Sequence, residues 1–389
     1  ALALSVLALV ACSKSDNPAK QGESAPSPAA KTAGQGKAEA QTHGDGPIHW
    51  FHDDYPAALA KAKKEGKPVV VDMWAPWCHT CLSMKSFVLS DPTLADFGEG
   101  FVWVALDTDK EAKAAVQTKL PVNAWPTFYV VSSVDESIQA RHLGAASLDQ
   151  FREFLAQGEG GHLDVAGKSG SIDPKLAAMR DGDRHTVYGR YTEADASYAK
   201  ALDLGGKEWK RRPEVLVARI SSLHQGEKFG PCVELALENF DDVTVGNTAS
   251  AADFAYYGHA CAGHVDAAKA KQVRDIAVAN DGPVRTVLDA ADSHLSLDDK
   301  SDAMHILRDV EEARGNTELA REWAEKQRQL LDAAAKAAPD AFARMTYNWP
   351  RSEVYVYLGE AEALIPELLK SVEALPDQYD PPYRLAWIY

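Results

Sequence analysis

The chain has 389 residues, 46% hydrophobic and 25% charged, enough apolar material for two or three ordinary domains. Its net charge of −16 argues against a nucleic-acid surface, whose affinity comes from Lys and Arg displacing counterions, and against attachment to anionic lipid by charge alone. The first segment, Ala1–Ala11, is an apolar run. It is too short to cross a bilayer, which takes roughly 20 such residues, and it matches the apolar core of a secretory signal. The chain opens inside this run without a Met and stops at Tyr389 within a helical pattern, so a piece of a longer protein is expected.

The run ends Leu9-Val10-Ala11-Cys12, which resembles a bacterial lipoprotein cleavage box. The resemblance implies that Cys12 is lipidated and becomes the first mature residue. The alternative is an ordinary signal peptide with a chance Cys. Residues 13–47 are Ser, Ala, Lys, Gly, Gln and Pro with almost no large apolar side chain. Such a segment cannot bury enough surface to offset its ordering entropy and reads as a disordered tether.

From Ile48 the pattern changes. Tyr55, Ala58, Leu59 and Ala62 recur at helical spacing, with Asp53 or Asp54 as N-cap and Gly66 as a stop. Val69–Trp74 is a β-branched run that reads as a buried strand. Further strands are predicted at Phe101–Leu106, Thr127–Val131 and Arg141–Leu143, and helices at Ser83–Leu89, Lys110–Gln117 and Ser147–Ala156. The alternation predicts an α/β sheet with helices on both faces over residues 48–157. A Gly-rich stretch, Gly158 to Gly170, reads as a boundary, giving a linker over 158–173 and an all-α region over 174–389.

The chemistry sits in Ala75-Pro76-Trp77-Cys78-His79-Thr80-Cys81. Two Cys separated by two residues at a helix start can close a small disulfide and reopen it. The helix N-terminus stabilises a thiolate on the first, so Cys78 is the expected nucleophile and Cys81 the resolving thiol. Half of a zinc site has the same spacing, and His79 could be a ligand, but no second C-x-x-C or Cys-His cluster completes such a site. Neither a metal nor a cofactor is expected.

Val71 to Cys81 resembles the thioredoxin superfamily, and the preceding helix with Gly66-Lys67-Pro68 resembles exported reductase domains such as the terminal domain of the transmembrane thiol carrier DsbD. The likeness covers roughly residues 48–157. It implies that Asp72 is buried beneath the second Cys and helps move its proton; the alternative is a solvent-facing Asp at a strand end. It implies that Pro126 in Trp125-Pro126-Thr127 is cis and lies against the disulfide, whereas a trans Pro would merely start a strand. Trp77, Trp125 and Pro126 are then the substrate-binding residues. Two departures stand out: Ala105 occupies the place where relatives often carry a Lys near the Asp, and a bulky Trp precedes Pro126.

With Cys12, Cys78 and Cys81 assigned, Cys232 and Cys261 remain. An even remainder in an oxidising compartment, on what read as neighbouring antiparallel helices, predicts a structural disulfide; two buried free thiols are the alternative. Gly189 to Leu202 resembles the second half of a tetratricopeptide repeat, with weaker echoes at Gly226–Ala236, Gly263–Ala268, Gly315–Ala320 and Tyr357–Gly359. A plain helical bundle is the alternative. His224, His259, His264, His294 and His305 read as solvated or packed, and Trp323, Tyr347, Trp349, Tyr355 and Tyr357 as core.

These readings converge on an exported, membrane-anchored thiol–disulfide oxidoreductase facing the periplasm or cell exterior. Its expected partners are protein thiols and disulfides, an upstream thiol electron donor, and a peptide or protein at the helical region. Reduction or electron relay is the expected direction. Two alternatives stay open: an interaction scaffold with an accessory thioredoxin fold, and a copper(I) handler using Cys78, His79 and Cys81.

Overall fold

Val69–Trp74 (β2) is the central strand of a five-stranded sheet in the computed structural model of the chain, which describes residues 48–110, 114–168, 173–291 and 295–389. Cys12, the tether and His294 lie outside the described residues. The other strands are Trp50–His52 (β1), Val102–Asp107 (β3), Thr127–Val131 (β4) and Ile138–Leu143 (β5), in the order β1-β3-β2-β4-β5. β1 and β2 run parallel to β3, while β4 is antiparallel to both β2 and β5.

Side chains alternate across the sheet with period two. Val70, Trp103, Phe128 and Val130 face one apolar layer; Val71, Val104, Tyr129 and Val131 face the other. The second layer is closed by Tyr55–Glu65 (α1) and by Leu120, which follows Ala114–Lys119 (α4). Asp54 caps α1 by accepting from Ala57 N–H, and Gly66 ends it in the left-handed conformation at φ 67°. The first layer is closed by the π-helical turn Met84–Val88 that continues His79–Ser83 (α2), by Ala95–Gly98 (α3) and by Leu148–Val165 (α5). Phe128 and Phe151 meet edge to face at 5.1 Å, a contact worth about 0.5–1.5 kcal/mol beyond area burial.

The helix expected over Ser83–Leu89 starts earlier, at His79, and turns π-helical from Met84, and the one expected over Lys110–Gln117 is described only as Ala114–Lys119, residues 111–113 lying outside the described residues. Three further elements differ from expectation. β1 is too short, at three residues, to show an alternation, and it exists by pairing with β3. β5 begins at Ile138 although Gln139, Arg141 and His142 are polar; all three are buried because Leu148–Val165, with Phe154 against His142 and Gly161 against Gln139, and Pro174–Val187 (α6) both pack on this strand. Arg184 Nε donates to the Ile138 carbonyl at 2.9 Å and Arg180 Nη1 to Gln139 Oε1 at 3.0 Å. The third is α5. It was expected to stop at Ala156 before a linker, but it continues to Val165. Gly158 and Gly161 are there for closeness: a Cβ would meet Val130 at 2.4 Å and Gln139 at 2.7 Å.

The rest is helical: Tyr191–Gly205 (α7), Arg212–Gln225 (α8), Phe229–Asn239 (α9), Ser250–Ala262 (α10), Ala267–Ala277 (α11), Pro283–Asp289 (α12), Leu297–Ala313 (α13), Thr317–Ala337 (α14), Ala341–Met345 (α15), Asn348–Leu358 (α16), Ile365–Ala374 (α17) and Asp380–Ile388 (α18). Gly189, at φ 68°, turns α6 into α7, and Gly182 lets the Tyr198 ring approach where a Cβ would sit 2.5 Å away. The helices bury two apolar clusters, one from Ala178 to Trp323 and one from Ala324 to Leu368. Trp323, Tyr347 and Tyr355 are buried, while Trp349 and Tyr357 are half-buried. Sheet and helices pack into one compact unit. No helix among the described residues is long and apolar enough to cross a membrane.

Candidate functional site

β2 delivers the chain to Ala75-Pro76-Trp77, and α2 starts immediately after Cys78. Cys78 is the N-cap: its Sγ accepts from Cys81 N–H at 3.0 Å, using a donor that the first turn leaves unpaired. Cys78 and Cys81 are joined as a disulfide, 5% and 2% exposed. Ala75, Trp74, Trp77 and Trp125 pack around them. The Trp125–Pro126 bond is cis, Pro126 is buried, and the Trp77 and Trp125 rings sit 5.2 Å apart. Their indoles are fixed: Trp77 Nε1 donates to Asp109 at 2.8 Å, and Trp125 Nε1 to Thr108 Oγ1 at 2.9 Å.

Asp72 shares its sheet face with Val70, the face that packs on Met84 and Val88 of the π-helical turn continuing the helix that carries Cys81. It is 2% exposed and its Oδ1 finds no hydrogen-bond partner among the described residues. Burial raises its pKa to about 6, tempered by the positive charge of Lys85. Burial in turn lowers Lys85 to about 8, opposed by Asp72, Asp107 and Asp53. Ala105 does pair with Asp72 across β2 and β3, but the cation comes instead from Lys85, over the face of Trp74. Sequence reasoning missed this residue. Its signal was a lone Lys in the apolar stretch from Leu82 to Leu89.

The helical region reaches the redox loop directly. His79 Nδ1 lies 3.0 Å from Asp298 Oδ1, and Nε2 lies 3.9 Å from Asp302. Ser83 Oγ donates to Ser296 Oγ at 3.1 Å, and Arg384 Nη2 to the Trp77 carbonyl at 2.6 Å. His79, Asp298 and Asp302 could gather a cation, their ligand atoms lying within 4.8 Å of one another. The two acids, however, address different ring nitrogens, which suits a doubly protonated ring better than ligands centred on one nitrogen. Burial disfavours charge on His79, but Asp298 and Asp302 outweigh it and, against Arg384, carry its pKa up to about 9. No signal in the sequence links these residues, 219 positions apart.

Cys232 on α9 and Cys261 on α10 are joined by a second disulfide, fully buried in the helical core. Among the other histidines, His224 and His264 contact Phe229, half-buried His259 has its pKa lowered to about 4 by desolvation and the nearby Arg274, and His305 faces Asp309 and Glu353.

A sequence family described as thioredoxin-like matches residues 50–132. A thioredoxin H-type from Chlamydomonas reinhardtii is 37% identical over 101 residues, 26% of this chain and 83% of that protein. The thiol:disulfide interchange protein DsbD of Pseudoalteromonas atlantica is 34% identical over 77 residues, 19% of this chain and 13% of that protein. The protein disulfide-isomerase erp38 of Neurospora crassa is 22% identical over 171 residues, 41% of this chain and 45% of that one.

Proposed function

The chain belongs to the thioredoxin family, and from that premise we propose that it is an exported thiol–disulfide oxidoreductase that reduces, or relays electrons to, disulfides of partner proteins. The observation that carries the reading is the Cys78–Cys81 pair capping α2, with buried Asp72 on the same side of the sheet and cis Pro126 beside it.

In the reduced chain Cys78 attacks a substrate disulfide as the thiolate. One substrate sulfur leaves as a thiolate and takes a proton, and the other stays bonded to Cys78. Asp72 then accepts the Cys81 proton, and Cys81 attacks Cys78 Sγ. The second substrate thiol leaves, and the chain is left with the Cys78–Cys81 disulfide. Two electrons have passed to the substrate; an upstream dithiol restores them. Trp77 and Trp125 line the approach, and the Trp125 backbone offers hydrogen bonds to an extended substrate.

We read the remaining parts in keeping with this. Residues 174–389 are a tetratricopeptide-like domain that holds a peptide or protein partner, supported by the Gly189 turn and by Tyr198 seated against Gly182. Residues 48–157 are the redox domain. A lipid on Cys12 and the tether over 13–47 hold both at a membrane, facing the periplasm or cell exterior. Export is supported by the apolar run Ala1–Ala11 and by the Cys232–Cys261 disulfide, a bond that persists in oxidising compartments.

The test is reduction of insulin by the chain with dithiothreitol as donor. The expected result is catalysed reduction that falls by at least about a thousandfold in Cys78→Ser. Equal rates in the two proteins would refute the reading.

A further inference from the structure

In the redox loop the residue after Cys78 is a histidine whose two ring nitrogens both face carboxylates from the helical region. Asp298 is wholly buried and lies 3.0 and 3.1 Å from Nδ1 through its two oxygens. Asp302, one turn further along α13, lies 3.9 Å from Nε2. A neutral imidazole has one N–H and one lone pair, so it cannot present a proton to both acids. A doubly protonated ring can. The ring is 12% exposed, so water does little to screen the pairing.

We propose that Asp298 is a positioning residue for the redox pair: it holds His79 as an imidazolium next to Cys78 and so favours the Cys78 thiolate. The helical region then acts on the chemistry and not only on partner choice. The inference rests on the reading of Cys78 as the attacking thiolate.

Other charges face the same ring. Asp299 lies on α13 with Asp298 and Asp302, and Asp380 and Arg384 come from α18. Arg384 is neutralised in part by its ion pair with Asp380 at 2.7 Å. Tyr347, between α15 and α16, feels Asp298 and Asp299 and stays protonated. Asp298, wholly buried and touching Nδ1 through both of its oxygens, is the acid placed to carry the countercharge. Consistent with this, His79 stays charged up to about pH 9.

The experiment is the pH dependence of iodoacetamide alkylation at Cys78 in the reduced full chain, read at the Cys78 peptide by mass. Asp298→Asn should move the midpoint up by about one pH unit, slowing alkylation about tenfold below both midpoints. His79→Gln should do the same, the double variant should go no further, and Asp298→Glu should restore the original midpoint. An unmoved midpoint in folded Asp298→Asn overturns the proposal, as does a shift that persists in the His79→Gln background. Should Asp298→Asn not fold, the unmutated chain decides: an NMR titration of His79 with a midpoint near 9 supports the proposal, and one near 6.5 overturns it. If Cys78 and Cys81 do not cycle at all, the parent reading fails; if they cycle with an unmoved midpoint, only this inference does.

Discussion

The bond between Cys78 and Cys81 spans three positions at the mouth of a helix, with Asp72, Lys85, His79 and Arg384 set around the loop. The bond between Cys232 and Cys261 spans 29 positions between two helices, and both its residues are fully buried among apolar side chains. The first has a thiolate-stabilising helix start and groups that can take or balance a proton. The second is sealed from solvent inside the apolar core, where no attacking thiolate can reach it. The same covalent link therefore serves exchange in one region and staples the other, and the surroundings decide which.

Removing the staple should be the largest blow to stability. Cys232→Ser with Cys261→Ser is expected to cost about 3.6 kcal/mol in urea unfolding, the loop-closure value for a span of 29 positions. It should leave the reactivity of Cys78 unchanged. A loss of redox cycling with the fold intact would show that the two regions are not as separate as their chemistry implies. Next in size is Asp72→Asn, expected to slow resolution by Cys81 about a hundredfold at neutral pH. The sign follows from the raised pKa: Asp72 accepts a proton only when ionised, so turnover should rise as pH passes through about 6. That limb should vanish in the variant. A limb that survives would assign the titration to another group. Smaller still is Gly158→Ala. The new Cβ would meet Val130 Cγ2 at 2.4 Å, so a loss of about 1–3 kcal/mol in thermal or urea unfolding is expected, without an effect on the alkylation midpoint of Cys78.

The redox region was legible where chemistry is local. Val69–Trp74 is a run of residues that only a buried strand accommodates, and Cys78 and Cys81 stand at its exit. Gly158 and Gly161 misled because glycine breaks a free helix yet permits a tight one; their role depends on Val130 and Gln139, which are distant in sequence. β5 was read short for a similar reason, since the helix that buries its polar residues comes later in the chain. The contacts of His79 with Asp298 and of Arg384 with Trp77 were not legible at all. Asp298 stands in the first turn of α13, two positions after the capping Ser296, so locally it looks like an acid that complements a helix start, and only the docking of α13 on α2 gives it a second use.

The most direct test is the reduction potential of the Cys78–Cys81 couple in the full chain, titrated in thiol–disulfide buffers and followed by the fluorescence of Trp77 and Trp125. The account predicts a reversible two-electron transition closer to about −270 mV, the range of an electron donor, than to about −120 mV, the range of a strong oxidant. A value near the latter would reverse the proposed direction of electron flow, and the lack of any reversible transition would contradict the redox assignment itself.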